Sequence, residues 1–168
     1  MSGKKAILIG ICIVAFVVAS DGVTKALIRA NMSLGEAIPS GDAFFSICYA
    51  LNDGVAFSLF RGHRVPLILI QSALAVVIFA IMLFVLRRSF SFPLLCSFSL
   101  MLGGGLGNLS DRIIFGKVTD FISVGSFPIF NVADSALTLG CVLLLIRVLF
   151  FEAKNDDRRE NRSVSRAE

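Results

Sequence analysis

Long uncharged stretches alternate with short polar segments along this chain. Residues 6–20, 65–86 and 89–110 contain no charged side chain, and residues 121–146 contain only Asp134. A helix needs about 20 mainly apolar residues to cross the hydrocarbon core of a membrane. The pattern therefore predicts an α-helical membrane protein with four spanning helices, at about residues 6–28, 65–86, 89–110 and 131–151.

The first predicted span has a second interpretation. Residues 6–20 follow two lysines and end in small residues, which is also typical of a cleavable signal peptide. As a helix this stretch is ~22 Å long, short of the ~30 Å core, whereas continuation to Ile28 gives ~34 Å. The longer helix carries Asp21 and Lys25 near its outer end, four residues apart on one face, where the two side chains are able to pair.

The basic residues are shared unequally between the two sides of such a four-span chain. Ten lie at the two termini, the inner end of the fourth span and the turn between spans 2 and 3, and six lie on the opposite side. Cytoplasmic segments carry the excess of Lys and Arg, so both termini are predicted to be cytoplasmic. The external segments then run from about Arg29 to Arg64 and from Arg112 to about Pro128. Seven of the twelve acidic residues fall on this external side, where we expect the chemistry.

The long external segment carries a strand pattern. Residues 44–51 are rich in aromatic and apolar side chains, residues 52–54 (Asn-Asp-Gly) are a strong turn signal, and residues 55–60 resume an apolar run. We therefore predict a hairpin or small sheet that lies on the bilayer surface. At the other end of the chain, residues 154–168 mix basic and acidic side chains and are expected to form a solvated cytoplasmic tail.

The composition agrees with a membrane protein and excludes other classes. Of the 168 residues, 56% are hydrophobic and 17% charged, and the mean hydropathy is +0.85. This excludes a soluble globular domain, a disordered chain and a collagen-like fibre. The net charge of +4 does not indicate a nucleic-acid partner, because the basic residues flank apolar runs. The four cysteines have no C-x-x-C spacing, so neither a disulfide framework nor a zinc site is expected.

Asp134 is the most informative residue because it lies inside a predicted span. A carboxylate at the centre of a membrane costs at least ~2.5–3.5 kcal/mol unless it meets partners or water. If the fourth helix begins near Asn131, Asp134 lies about one turn, ~5 Å, below its outer end. Two interpretations stay open at this point. One is helix capping, because the two residues are spaced as in a capping box, and the other is a functional role.

Asp120 is the candidate partner of Asp134, because it directly precedes the apolar stretch that returns the chain to the membrane. Two neighbouring carboxylates can activate water without a metal. One is ionised and takes the proton from water, and the other is protonated and polarises a carbonyl. No metal or other cofactor is therefore expected, and the pattern leaves open which aspartate carries the shared proton.

The end of the third span combines glycines with a polar face. Gly103 and Gly107 are four residues apart, which is typical of close helix contact. Asn108, Asp111 and Arg112 share one face by their three- and four-residue spacing. At the lipid boundary this trio needs partners, and Arg112 is suited to hold a carbonyl, a carboxylate or a lipid phosphate.

Five short blocks carry most of these polar residues. They are Asp21-Gly-Val-Thr-Lys25, Asn52-Asp-Gly54-Val-Ala56-Phe57, Gly104-Gly-Leu-Gly-Asn108-Leu-Ser-Asp111-Arg112, Val118-Thr-Asp120-Phe121 and Phe130-Asn131-Val-Ala133-Asp134-Ser135. In sequence and in order they resemble the signature blocks of lipoprotein signal peptidase, also called signal peptidase II. The resemblance extends from the first span through the fourth, and only the tail lies outside it.

The resemblance implies a multi-pass aspartic endopeptidase of the bacterial inner membrane. Such an enzyme removes signal peptides from diacylglyceryl-modified prolipoproteins by cleaving before the lipidated cysteine. Its fold has four spanning helices, a small external β-cradle and a short external helix, with the active site toward the periplasmic face. Inhibition by cyclic peptide antibiotics such as globomycin is also implied. We expect a monomer surrounded by membrane lipid.

The resemblance also assigns residues. In that family the catalytic dyad corresponds to Asp120 and Asp134. The positions expected to line or support the substrate site are Asn52, Gly54, Asn108, Arg112, Asn131 and Ala133, and those expected to hold the helix ends together are Asp21, Lys25 and Asp111. We further hypothesise that residues 44–60 clamp over the substrate, with Asn52 reaching toward the peptide.

Two other classes of function remain as alternatives. A small four-helix exporter or proton-coupled exchanger would use an intramembrane acid to bind a cation or proton. Such a transporter favours an acid near the middle of the bilayer, whereas Asp21 and Asp134 are both predicted to be shallow. A purely structural membrane subunit would leave the external clustering of acidic residues unexplained.

Overall fold

The structure is a computed structural model of the chain, and it describes residues 3–41, 43–54, 64–88 and 91–164. The described part consists of four long helices and a three-stranded antiparallel sheet. The helices are α1 (Gly3–Asn31), α2 (Arg64–Arg88), α3 (Phe92–Phe115) and α4 (Val132–Val164), and the strands are β1 (Ala37–Ile38), β2 (Phe45–Asn52) and β3 (Val118–Val124). Each helix contains a stretch long and apolar enough to cross a membrane. The predicted four-helix membrane fold is confirmed.

The third helix is the centre of the bundle. Within the apolar stretch that could cross the membrane, about 56% of α3 is buried, against 11–22% of the other three helices. The third helix packs against all three of them. Glycines allow these close contacts. A Cβ at Gly104 would overlap with the carbonyl oxygen of Ala133 on α4, and a Cβ at Gly103 would lie 2.8 Å from Cβ of Val17 on α1. The interpretation of the glycines as helix contacts is confirmed.

A small sheet joins the segment between α1 and α2 to the segment between α3 and α4. The predicted strand is confirmed as β2, which pairs with β1 on one side and with β3 on the other. The sequence pattern did not indicate β3, and the predicted hairpin return at residues 55–60 lies outside the described residues. The register places Ala50 opposite Asp120. Side chains two apart on a strand share a face, so Asn52 lies diagonally across from Asp120.

A tight turn sets where β3 begins. The third helix ends at Phe115 and is capped by Gly116, whose φ of 79° favours glycine and whose N–H donates to the carbonyl oxygen of Arg112 at 3.1 Å. Only Lys117 separates this cap from the strand. The strand therefore folds back against the end of α3, and the N–H of Thr119 donates to Oδ2 of Asp111 at 2.9 Å.

The end of the fourth helix differs from the expectation, and the implied short external helix stays a prediction. The fourth helix does not end near residue 151 but continues into the charged segment as far as Val164. The short external helix that the resemblance implies is not among the helices of the described residues, which are all of 24 residues or more.

Candidate active site

The polar residues of the five sequence blocks meet at one end of the bundle, where α3 ends, α4 begins and β3 crosses between them. Eight of these residues are at most 6% exposed: Asp21, Lys25, Asn108, Asp111, Arg112, Thr119, Asp120 and Asn131. Burial of so many charged and amide groups in a membrane bundle is costly unless they satisfy one another. Their hydrogen bonds therefore define the site.

Asp120 lies on β3 with both carboxylate oxygens engaged. Oδ1 accepts a hydrogen bond from Nδ2 of Asn131 at 2.7 Å, and Oδ2 accepts one from Nδ2 of Asn52 at 3.0 Å. Burial raises the pKa of Asp120 to about 6. The hydrogen bond from Asn52 opposes this rise, and the negative charge of Asp134 adds to it. The Asp120 carboxyl therefore keeps its proton to a higher pH than an ordinary aspartate does.

Asp134 lies in the first turn of α4. Its Oδ1 accepts a hydrogen bond from Nδ2 of Asn108 at 2.7 Å. Its Oδ2 accepts the N–H of Asn131 at 3.3 Å, while the N–H of Asp134 donates to Oδ1 of Asn131 at 2.9 Å. These reciprocal bonds are those of a capping box, so the capping interpretation is confirmed.

Asn131 connects the two aspartates. Its backbone N–H and side-chain oxygen bind Asp134, and its Nδ2 group donates to Asp120 and also to Oδ1 of Asn108 at 3.0 Å. One fully buried amide thus holds both carboxylates in a fixed relation. Capping and function are therefore not alternatives here, because the residues that cap α4 also orient the pair.

A second chain of contacts reaches Asp120 from the other side. The N–H of Gly54 donates to Oδ1 of Asn52 at 3.0 Å, which orients the Asn52 amide so that its Nδ2 faces Asp120. Arg112 holds this turn, because its Nη2 donates to the carbonyl oxygen of Gly54 at 2.6 Å. Its Nη1 donates to Oε1 of Gln71 on α2 at 3.2 Å. Arg112 therefore supports the site indirectly, through the turn at Gly54, whereas Asn52 contacts the Asp120 carboxylate directly.

The remaining predicted residues form an ion cluster beside the aspartates. Nζ of Lys25 lies 2.7 Å from Oδ2 of Asp21 and 3.4 Å from Oδ2 of Asp111, and it donates to Oδ1 of Asn108 at 2.9 Å. The predicted pairing of Asp21 with Lys25 is confirmed. Oδ1 of Asp21 also accepts the N–H of Ala133 at 2.9 Å. Because this cluster joins α1 to α3 and α4, it favours a permanent first span over a cleaved one.

Four residues that the sequence pattern did not single out take part in the site. Arg29 and Thr119 contact each other beside Asp111, Gln71 accepts from Arg112, and Arg64 donates to backbone carbonyls at the end of α3. Two of them carried a signal. Gln71 is a polar interruption of an apolar span, and Arg29 follows Lys25 by four residues, on the same helix face.

Metal ligation has no support within the described ranges. Among those residues, no group of three or more His, Cys, Asp or Glu side chains is placed to hold a metal ion. The chemistry that the arrangement offers is that of two linked carboxylates, one with a raised pKa, surrounded by amide donors.

Solved structures with the same arrangement of helices exist. Two bacterial membrane enzymes determined by the in meso method superpose with TM-scores of 0.78 and 0.75, at 31% and 33% identity. They cover 88% and 85% of this chain, and 92% and 94% of their own chains. The fold is thus shared over nearly the whole length of both neighbours.

Comparison with protein families and curated relatives gives the same result. The lipoprotein signal peptidase of Dehalococcoides mccartyi is 43% identical over 148 residues, which is 86% of this chain and 91% of the relative. That of Bacillus subtilis is 38% identical over 147 residues, 84% of this chain and 94% of the relative. The family model described as Signal peptidase (SPase) II matches residues 13–150. This chain therefore belongs to the signal peptidase II family of membrane aspartic peptidases.

Proposed function

We propose that this protein is an aspartic endopeptidase that removes signal peptides from diacylglyceryl-modified prolipoproteins, cleaving before the lipidated cysteine. The observation that carries the proposal is the linkage of Asp120 and Asp134 through Asn131. The relatives, which are named for the processing of lipoprotein signal sequences, agree with it.

The two carboxylates take different roles in this proposal. Asp120 carries the shared proton, because its pKa is raised to about 6 by burial. Asp134 is the base that receives a proton from water, and the two N–H hydrogen bonds that its side chain accepts, from Asn108 and from the backbone of Asn131, fix the orientation of its carboxyl group.

The reaction follows from these roles. Asp134 takes a proton from water as the oxygen attacks the scissile carbonyl carbon, and Asp120 gives its proton to the carbonyl oxygen. Collapse of the tetrahedral intermediate breaks the C–N bond, the amine leaves with the proton held by Asp134, and the hydroxyl proton returns to Asp120. The pair thus ends in its starting state without a cofactor.

The position of the site suits a substrate anchored in lipid. Asp134 lies in the first turn of an apolar helix, so a scissile bond held at the membrane surface meets the dyad without leaving the bilayer boundary. Exposed Phe44 and Phe45 on the sheet side provide an apolar surface toward lipid, in line with a sheet that lies on the membrane. Asn52 positions Asp120 through its hydrogen bond to Oδ2.

Orientation and partners complete the proposal. The unequal distribution of Lys and Arg favours cytoplasmic termini and a site on the periplasmic face of a bacterial inner membrane. We propose a monomer, with inhibition by cyclic peptides of the globomycin type as in the family that the chain resembles.

The test is cleavage of a synthetic diacylated prolipoprotein peptide by the purified protein in detergent. Asp120→Asn and Asp134→Asn should each lower kcat by about 10²–10⁴-fold, the range for loss of a general acid or base. Glu36→Gln is the matched control, because Glu36 is an exposed carboxylate on the same proposed side and should leave kcat unchanged. A thermal melt checks that every variant is folded.

Two results would contradict the proposal. If the folded Asp120→Asn and Asp134→Asn variants still cleave, the assignment of the dyad is wrong. If the folded parent does not cleave a diacylated peptide, the substrate class is wrong, and proton-coupled ion flux into proteoliposomes tests the exporter alternative.

A further inference from the structure

Arg29 reaches two other elements from the last turn of α1. Its Nη1 lies 3.3 Å from Oδ1 of Asp111, near the end of α3, and donates to Oγ1 of Thr119 on β3 at 2.9 Å. Its Cζ lies 4.3 Å from the centre of the Phe115 ring, a favourable position for a cation. One guanidinium thus ties together the outer end of α1, the last turns of α3 and the start of β3.

The contact with Thr119 is made one residue before Asp120. The Thr119 side chain is held by Arg29, and its backbone N–H is held by Asp111, which is itself paired with Arg29. Consecutive Cα atoms are about 3.8 Å apart along a trans peptide, so a fixed Thr119 leaves the backbone of Asp120 little freedom. The Arg29–Asp111 pair therefore acts on the strand that carries the candidate acid.

We propose that Arg29 is a positioning residue of the aspartate pair: by clamping Thr119 and Asp111 together, it holds β3 where Asp120 meets Asn131. This inference rests on the proposed function, because its readout is peptide cleavage. It differs from the assignment of the dyad, since Arg29 contacts neither aspartate of the pair and acts through Thr119.

A purely structural role for Arg29 would have other consequences. A cation in the last turn of a helix stabilises the helix end, and a pair with a partly exposed partner contributes little to folding. The Arg29 side chain is 22% exposed in its pair with Asp111. A structural role would change the melting temperature and the fraction of active protein, and it would leave kcat of the folded fraction unaltered.

The experiment compares Arg29→Gln, Arg29→Lys, Thr119→Val and the double variant Arg29→Gln/Thr119→Val in the peptide cleavage assay. Misplacement of a catalytic group by a fraction of an ångström lowers the rate without loss of substrate binding. In Arg29→Gln, kcat should therefore fall roughly tenfold, while KM should stay within about twofold of the parent value. Arg29→Lys keeps the charge but loses the planar fork, and it should recover kcat to within about threefold of the parent.

The double variant tests whether Arg29 acts through Thr119. Thr119→Val removes the hydroxyl but keeps the branched shape, and its kcat should also fall roughly tenfold. If both residues act through one contact, the double variant should be no more than about threefold below the lower single variant. Lys117→Gln is the matched control, because Lys117 is an exposed cation in the turn that leads into β3, and its removal should leave kcat unchanged.

Several outcomes overturn the inference. The inference is wrong if a folded Arg29→Gln variant keeps the kcat of the parent. It is also wrong if the effects of the two single variants multiply, so that kcat of the double variant falls roughly a hundredfold. If Arg29→Gln fails to fold, Thr119→Val decides, since an unchanged kcat there removes the contact from catalysis. Failure of the parent to cleave contradicts the proposed function instead, so the two failures are distinguishable.

Discussion

Addition of a single methyl group at Gly104 of α3 should strongly lower the activity of the enzyme, whereas the same addition at Gly105 should not. A Cβ at Gly104 would overlap with the carbonyl oxygen of Ala133 and lie 3.0 Å from the backbone nitrogen of Leu137. Both atoms belong to the backbone of α4, so no rotamer change relieves the contact. A Cβ at Gly105 meets no atom within 4 Å. Gly104→Ala and Gly105→Ala are therefore a matched pair.

The magnitude follows from the distance that α4 must move. A close C···O contact is about 3.3 Å, so accommodation of the methyl group requires α3 and α4 to separate by roughly 1 Å at Ala133. Asp134 is the next residue on α4, and a displacement of this size costs about 10² in rate. Overpacking costs about 1–3 kcal/mol, which exceeds the 0.5–1 kcal/mol that alanine gains over glycine in a helix. Gly104→Ala should therefore also lower the melting temperature.

The assay is cleavage of the diacylated peptide, with a thermal melt of each variant in the same detergent. Gly104→Ala should lose about 10²-fold in kcat/KM and melt at a lower temperature, whereas Gly105→Ala should keep the activity of the parent with equal or higher stability. Equal activity of the two variants would refute the reasoning, because it would mean that the close contact of α3 with α4 does not set the position of Asp134.

Two further predictions concern stability. The pKa of Asp120 is raised to about 6 in the folded state. Between about pH 4 and pH 6 the folded protein therefore binds more protons than the unfolded chain, so the free energy of unfolding falls as the pH rises through this window. The melting temperature of the parent minus that of Asp120→Asn should therefore decrease from about pH 4 to about pH 6.5, and a constant difference would contradict the raised pKa. Lys25→Met should destabilise the protein by about 3–5 kcal/mol, because it leaves Asp21 and Asp111 buried without their shared cation. In chemical denaturation in micelles, Asp21→Asn/Lys25→Met should recover part of this loss, and a double variant no more stable than Lys25→Met would argue against the pairing.

Local pattern was sufficient for the helices but not for the sheet. The spanning helices follow from uninterrupted apolar runs, since each run satisfies its backbone internally and needs only the length of the bilayer core. The strand β2 followed from a run of aromatic and apolar residues. The strand β3 did not, because a strand depends on its partner, and β2 lies some 70 residues earlier in the chain.

The candidate residues could likewise be named before the structure, but not their contacts. Spacing along one helix predicted the Asp21–Lys25 pair and the capping box at Asn131, because residues three or four apart are neighbours on a helix. Asn52 and Asp120 are 68 residues apart, and their hydrogen bond depends on the register of β2 against β3. The role of Arg29 was missed for the same reason, since its partners Asp111, Phe115 and Thr119 lie on other elements.

The sequence by itself determined a four-span membrane protein and, through its five blocks, the family, and it named Asp120 and Asp134 as the candidate pair. Only the tertiary structure decided that Asn131 bridges Asp120 and Asp134, that Arg112 donates to the carbonyl oxygen of Gly54, and that burial raises the pKa of Asp120. Apolar runs and helical spacings are properties of neighbouring residues. Hydrogen-bond partners and desolvation depend on groups that the chain brings together only when α3, α4 and β3 pack.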